Sequence, residues 1–360
     1  MNEEGGFPLK RTGVVVIAAG LFVFLLYLYF FVPFGDFSNQ IKQANPIYYS
    51  LAFGSMLLSA AFYSLAWQRL LHVLSVKCSF LKAFQIVWVG SFVDLLVPAE
   101  SVSGDISRVY LMSKESSENT GKVVASVIGH RVLSMTMTLG GLVVSSVYFA
   151  IRDRPPMLVL EFVSLIGAST LAAMVLIFYF SRKREAGARI VEWLVGVLVR
   201  LSRGRWKFAR LKESAEKMLK SFYDGIDTLV AQRRRLLLPA SLTMVAWALD
   251  LLISVLVFRA LDTSVPFSAI AIVYTITLAI QTAPLGIPGE IGILDIAMAS
   301  LYTLLRVPIV TATVATVLIR IITMWMRLLI GGLTVQWLGI KGLRPKSAAR
   351  KDDEALNPQR

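Results

Sequence analysis

Long apolar runs constrain this chain more than any other feature. Residues 13–32, 46–70, 123–150, 157–180, 236–258 and 308–338 are mostly apolar for about twenty residues or more, the length a helix needs to cross ~30 Å of hydrocarbon. Backbone groups in lipid must bond to one another, and only a helix does so within one segment. Charged residues make up 17% of the chain, against roughly 25% in soluble domains. Nothing alternates in the ten-residue pattern of a β-barrel. The run at 13–32 is too long for a signal-peptide core and ends in no small-residue cleavage site, which makes it a retained first helix.

The net charge of +14 does not point to nucleic acid, because of where it sits. Residues 181–235 hold 15 Lys/Arg against 6 Asp/Glu, and the tail after Ile340 adds more. A basic block between apolar spans marks the cytoplasmic face, where it meets anionic headgroups. Within it Phe208, Leu211, Met218, Phe222, Ile226 and Leu229 recur near helical spacing, and residues 189–203 carry an apolar stretch flanked by arginines. Amphipathic helices lying on the membrane surface account for both; a solvated basic linker is the rival reading. The insert covers residues 182–235, and the tail at 341–360 is polar. One cysteine, Cys78, and two histidines, His72 and His130, leave no set for a metal site. No cofactor is expected.

With the basic block and the tail inside, both termini are cytoplasmic. Counting crossings outward from the block then makes residues 80–122 begin and end inside, and residues 267–306 begin and end outside. Each is expected to be a re-entrant hairpin. A shift of 190 residues supports the count: it aligns Arg69 with Arg259, Pro98 with Pro288, Glu100 with Glu290, Asp105 with Asp295, and Gly141 with Gly331. Apolar matches between membrane helices are cheap, whereas prolines and carboxylates in register are not. The fold class is therefore an all-α polytopic membrane protein. Six full transmembrane helices and two re-entrant hairpins form an inverted-topology repeat (halves at about 46–150 and 236–340), with a cytoplasmic amphipathic insert. Transporters use that plan, with broken helices meeting near the substrate at the midplane.

The hairpins hold the candidate chemistry. In the first, Pro98 and Gly104 allow one helix to stop and another to start, and Ser101 or Ser103 is the expected N-cap. The free N–H groups at that start favour an anion such as a phosphate. Asp105 and Arg108 share a face of the returning helix, so Arg108 could clamp a phosphate while Asp105 orients it. In the second, Pro284, Gly286, Pro288, Gly289 and Gly292 interrupt the helix, and Glu290 and Asp295 need arginines from elsewhere. Arg320 lies ~18 Å along the last span, and Arg327 shares its face. His130 and Arg131 take the comparable place in the first half; Asp94 and Asp250 are further acidic candidates. An isolated charge at such depth costs about 2.5–3.5 kcal/mol or more, so these groups must face each other, water or a substrate. Substrate contact is expected of Arg108, Arg131, Arg320, Ser103, Gly104 and Asp105. Gating or ion coupling is expected of Glu100, Glu290, Asp295, Asp250, Asp94, His130 and Arg327. The structural alternative is that Asp105–Arg131 and Asp295–Arg320 are ion pairs that only hold the hairpins. Trp67, Trp88, Trp247 and the other tryptophans read as interface anchors or packing.

The stretch Pro98…Gly104-Asp105-x-x-Arg108, the His130-Arg131 pair and the turn Pro284-x-Gly286-x-Pro288-Gly289-x-x-Gly292-x-x-Asp295 resemble the family named for the transmembrane region of lysylphosphatidylglycerol synthase. The likeness covers roughly residues 13–339. It departs at His130, where the family has an acidic residue, and at Asp295, where it has glutamate. The resemblance implies flippase-like movement of a lipid with a phosphate-containing headgroup between leaflets of the cell membrane. The bifunctional members carry a soluble aminoacyl-transfer domain, to which nothing in this sequence corresponds.

Three functions follow from these residues. The first is a lipid flippase working by alternating access at a midplane site, with membrane lipids and a second copy of the chain as candidate partners. The second is a membrane-embedded transferase acting on a lipid-linked substrate. The third is an accessory membrane subunit. The first has no enzymatic step and is favoured, because the charges gather where helices break.

Overall fold

The computed structural model describes residues 34–97, 102–116, 120–152, 157–185, 187–189, 192, 208–281 and 287–342. The expected span at 13–32, the break residues Pro98, Glu100, Pro284 and Gly286, most of the 189–203 stretch and the tail beyond 342 lie outside them. The described residues are all-helical, with no strand among them. In chain order the helices are α1 (Phe34–Gln43), α2 (Pro46–Val73), α3 (Phe80–Leu96), α4 (Ser103–Glu115), α5 (Thr120–Arg152) and α6 (Met157–Arg182). Then come α7 (Phe208–Ala231), α8 (Leu237–Ala260), α9 (Phe267–Ile280), α10 (Ile293–Leu304), α11 (Ile309–Arg320) and α12 (Arg327–Gly342). A π-helical turn, Ile321–Met326, joins the last two.

Among the described residues, five helices are long and apolar enough to cross a membrane: Pro46–Val73, Thr120–Ile151, Val159–Arg182, Arg233–Ala260 and Ile309–Leu338. The sequence predicts each of them to within a few residues. Where it predicts hairpins, two pairs of shorter helices stand instead of single spans: α3 with α4, and α9 with α10.

Local chemistry sets the ends. Asn45 caps α2, its Oδ1 accepting from the Ile47 N–H at 2.9 Å, and Pro46 takes the first position, where no N–H is missed. The helix stops where Ser75 turns to φ 63° and the Val76 N–H reaches back to the Leu71 carbonyl at 2.9 Å. Ser79 restarts the chain as the cap of α3.

The bundle is built on the pairing of α2 with α8. Small hydroxyls let these helices approach: Ser55 donates to the Leu249 carbonyl at 2.8 Å and Ser59 to the Ala246 carbonyl at 3.0 Å. Water-free helix contacts favour small residues and such bonds, since apolar side chains gain little over lipid. Around the pair lie two apolar clusters. One gathers α8–α11 with Met56 and Trp88; the other gathers Trp67, Ile86, Val123 and α7. Helix α3 is held between α4 and α12. A Cβ on Gly331 would sit 2.7 Å from Phe92 Cβ and 2.8 Å from the Trp88 carbonyl, so glycine sets that spacing.

Helix α7 has the amphipathic pattern expected of the basic insert. Its apolar side packs against the start of α5, with Ile226 and Leu229 buried there, and Arg184 pairs with Asp227 at 2.7 Å. The amphipathic pattern is real, and protein covers it.

Candidate functional site

Asp94, near the end of α3, reaches the start of α4. Its Oδ1 accepts from Ser103 Oγ at 2.8 Å and from the Gly104 N–H at 2.6 Å. The expectation that Ser103 caps α4 is therefore corrected: Val102 precedes the helix with no side-chain cap bond, and Ser103 is its first residue. One backbone donor at this helix start, the Gly104 N–H, is thus taken by the protein's own carboxylate. Glycine is required at 104, since a Cβ would run into the Asp94 carboxyl and the Gly90 carbonyl.

Asp105, one residue on, is bridged by two arginines. Arg108 donates to Oδ1 at 3.1 Å and Arg131 to Oδ2 at 2.9 Å. Arg108 is 4% exposed, wedged between α2 and α5. Its guanidinium lies 4.3 Å from the Trp67 ring centroid and donates to Tyr63 Oη at 3.3 Å. It also meets His130 Nδ1 at 3.1 Å. A guanidinium can only donate, so His130 accepts at Nδ1 and carries its proton at Nε2.

A second cluster of charges lies at the break before α10. Arg320, 3% exposed, donates Nε to Asp295 Oδ1 at 3.0 Å and a terminal nitrogen to the Gly289 carbonyl at 2.5 Å. Asp295 uses its other oxygen to accept from the Gly292 N–H at 2.9 Å. Arg320 thereby clamps the break, whose backbone turns left-handed at Gly289 (φ 59°), Glu290 (φ 50°) and Gly292 (φ 88°). Glycine takes such angles freely; Glu290, buried at 1% exposure, does so at a cost of about 1–3 kcal/mol. Pro288 opens the short 3₁₀ turn between these points. Arg327 pairs with Asp250 of α8 at 2.8 Å. The π-helical turn separates Arg320 from Arg327, and such turns collect at functional sites.

Between these clusters lies a cavity of about 220 Å³, lined among others by Tyr63, Asp94, Asp105, Arg131, Trp247 and Asp250. A chamber of about 70 Å³ adjoins it through the shared walls Asp250, Tyr274 and Leu278, and reaches Arg320 and Arg327. Residues of both sets of charges thus line two neighbouring spaces that share a wall. Arg108 and His130 are not among the residues lining either space; Arg108 holds Asp105 from behind, and His130 holds Arg108. Two residues read from sequence as anchors or packing belong here, Trp67 over Arg108 and Trp247 in the cavity wall. Tyr63 and Tyr274 gave no signal in the sequence, because an aromatic residue on an apolar helix has no mark of what it faces.

The model of the lysylphosphatidylglycerol synthase transmembrane region matches residues 16–331. The chain belongs to that family. Among its relatives, a UPF0104 membrane protein of Methanothermobacter thermautotrophicus is 25% identical over 339 residues, covering 92% of this chain and 97% of the relative. Another, from Pyrococcus horikoshii, is 22% identical over 333 residues, 91% of this chain and 97% of its own length. A third, from Methanocaldococcus jannaschii, is 22% identical over 319 residues, 88% of this chain and 92% of its own. The family match spans both clusters and the cavity between them, and the relatives are, like this chain, membrane proteins.

Proposed function

We propose that the protein is a lipid flippase that carries a lipid with an anionic, phosphate-containing headgroup across the cell membrane. The observation that carries this reading is the cavity inside a bundle of membrane-length helices, with Arg131 on its wall and Arg320 and Arg327 on the neighbouring chamber. Charges at such depth are costly unless they face a partner, water or a substrate, and an arginine is the side chain that can hold a phosphate by paired hydrogen bonds. Arg131 is the first contact for the headgroup and Arg320 the second. Arg108 and His130 position Asp105, which with Asp250, Asp295 and Glu290 opens and closes the route.

The alternating-access plan draws support from the repeat. Helix α4 and α10 start 190 residues apart, α5 and α11 start 189 apart, and α5 and α12 end 190 apart. Three full crossings (α2, α5 and α6) lie between the start of the first half and the start of the second, so the halves enter the membrane with opposite orientation, each with a re-entrant pair. The basic insert and the tail then lie at the cytoplasmic face with both termini.

A transferase acting on a lipid-linked substrate needs a carboxylate available as base. The three that line the cavity are each held: Asp94 by Ser103 and Gly104, Asp105 by two arginines, Asp250 by Arg327. That favours transport over catalysis.

The test is reconstitution into sealed vesicles with a headgroup-labelled anionic phospholipid, followed by a membrane-impermeant quencher. The purified protein is expected to expose the inner-leaflet label, and Arg131→Gln to abolish that exposure. Equal quenching in protein-free vesicles and with the wild type would overturn the reading.

A further inference from the structure

Two apolar grooves flank the central cavity, and one helix lines all three. The first groove, about 760 Å³, is walled by Thr120, Val124 and Ile128 of α5 facing Ile106 and Tyr110 of α4. The second, about 460 Å³, is walled by Gly140 and Val144 of α5 facing Met244 of α8. Neither is sealed from the cavity by an independent wall. Asp105 and Arg131 line both the first groove and the cavity; Met137 and Trp247 line both the cavity and the second groove. From Thr120 to Tyr148 the lined face of α5 runs ~42 Å at 1.5 Å per residue, which exceeds the ~30 Å of hydrocarbon.

We propose that α5 is a rail on which a two-part amphiphile crosses: acyl chains stay in the lateral grooves while the headgroup passes through the cavity between them. This rests on the transport reading and adds the substrate's shape and its entry points. A soluble anion would need polar walls on either side of the cavity, and both grooves are walled mainly by apolar side chains instead. Ile106 is 63% exposed, Tyr110 56% and Val144 69%, on the outside of a bundle whose surroundings are lipid. Lys114 lies at the far end of the first groove, towards Met218 of the basic insert, where it would meet an anionic headgroup before entry. The Asp105–Arg131 pair then stands between groove and cavity. The headgroup replaces Asp105 as the acceptor of Arg131 in order to enter, so this ion pair is the inner gate.

Gly140 makes the lane testable without damage to packing. A Cβ built there meets nothing within 4 Å, and the same is true of Gly54 on α2, which is not among the residues lining either groove or the cavity. The experiment uses vesicles of phosphatidylcholine and phosphatidylglycerol, with a trace of phosphatidylglycerol carrying a diazirine in its acyl chain. Photoadducts are mapped by mass spectrometry on the wild type, Ile106→Trp, Gly140→Phe and Gly54→Phe, and headgroup movement is measured on the same vesicles. Expected are wild-type adducts at Tyr110 and Val124 in one groove and Val144 in the other. Ile106→Trp should lose the first set, Gly140→Phe the second, and both should lose headgroup movement, with Gly54→Phe matching the wild type. Adducts spread evenly over the lipid-facing helices, or groove adducts and movement unchanged in the two blocked variants, would overturn the lane. Groove adducts lost on blocking, in a wild type that moves no headgroup, would uphold the grooves as a lipid site and remove the transport reading alone.

Discussion

Arg131 on α5 and Asp105 on α4 meet at 2.9 Å, and both line the lateral groove as well as the central cavity. Both side chains are 24% exposed, whereas Arg108, the other partner of Asp105, is buried. The pair therefore joins a reachable cation to one that is fixed in place.

This asymmetry predicts unequal effects from its two ends. Asp105→Asn strips a buried guanidinium of its counter-charge, a kind of loss that costs about 3–5 kcal/mol. Arg131→Gln leaves Asp105 still paired with Arg108, so its effect on stability should be much smaller. Thermal unfolding in detergent, followed by loss of the monodisperse peak, should rank Asp105→Asn well below Arg131→Gln. Equal shifts would mean that Arg108 does not depend on Asp105.

Arg320 clamps the second break through Asp295 and the Gly289 carbonyl, with both charged side chains under a tenth exposed. Arg320→Met should destabilise by about 3–5 kcal/mol, because Asp295 is left as an uncompensated buried charge. Adding Asp295→Asn should recover part of that loss, since Asn keeps an oxygen for the Gly292 N–H. The midpoints of the single and double variants check it.

Two glycines should respond in opposite directions to alanine. At Gly104 the new methyl runs into Asp94 and the Gly90 carbonyl, and overpacking of this kind costs about 1–3 kcal/mol. At Gly140 it meets open space within a helix, where Ala exceeds Gly by up to about 1 kcal/mol. The same unfolding measurement should show a loss for Gly104→Ala and a small gain for Gly140→Ala.

How far could the sequence be read? The long spans were legible because hydrocarbon thickness imposes their length directly. Asp105, Asp295 and Arg320 were legible because charges inside apolar segments are too costly to be incidental. Other features depended on which helix lies opposite, and the chain carries no local mark of that. Arg108 carries a visible charge, yet its cage of Tyr63, Trp67 and His130 is assembled from α2 and α5. Ser103 reads as a cap from its type and place, but Asp94 of α3 takes its hydroxyl and the Gly104 N–H. Helix α7 is amphipathic on the page, and whether lipid or protein covers its apolar side is decided by α5. The π-helical turn after Arg320 has no sequence signature at all.

Cys78 provides a control on local burial. It lies in the loop between α2 and α3, and burial pushes its thiol up to about 11 from the usual 9.0. At pH 8 it should hold about 100-fold less thiolate than an ordinary cysteine, and the thiolate is the reactive form. Alkylation by a maleimide should therefore be slow at pH 8 and rise steeply towards pH 11. Fast labelling at pH 7 would show that the loop is open to water.

The slow background at Cys78 can be removed altogether by Cys78→Ser, which leaves a cysteine-free chain. Placing Ser134→Cys in that background puts one thiol on the wall of the central cavity. Labelling sealed, oriented vesicles with a membrane-impermeant thiol reagent, applied first to one side and then to the other, asks whether that wall is reached from both faces. Reaction from each side in turn, slowed by an added anionic phospholipid, is the predicted result. Reaction from one side alone, or from neither, would contradict a headgroup route through the middle of the bundle.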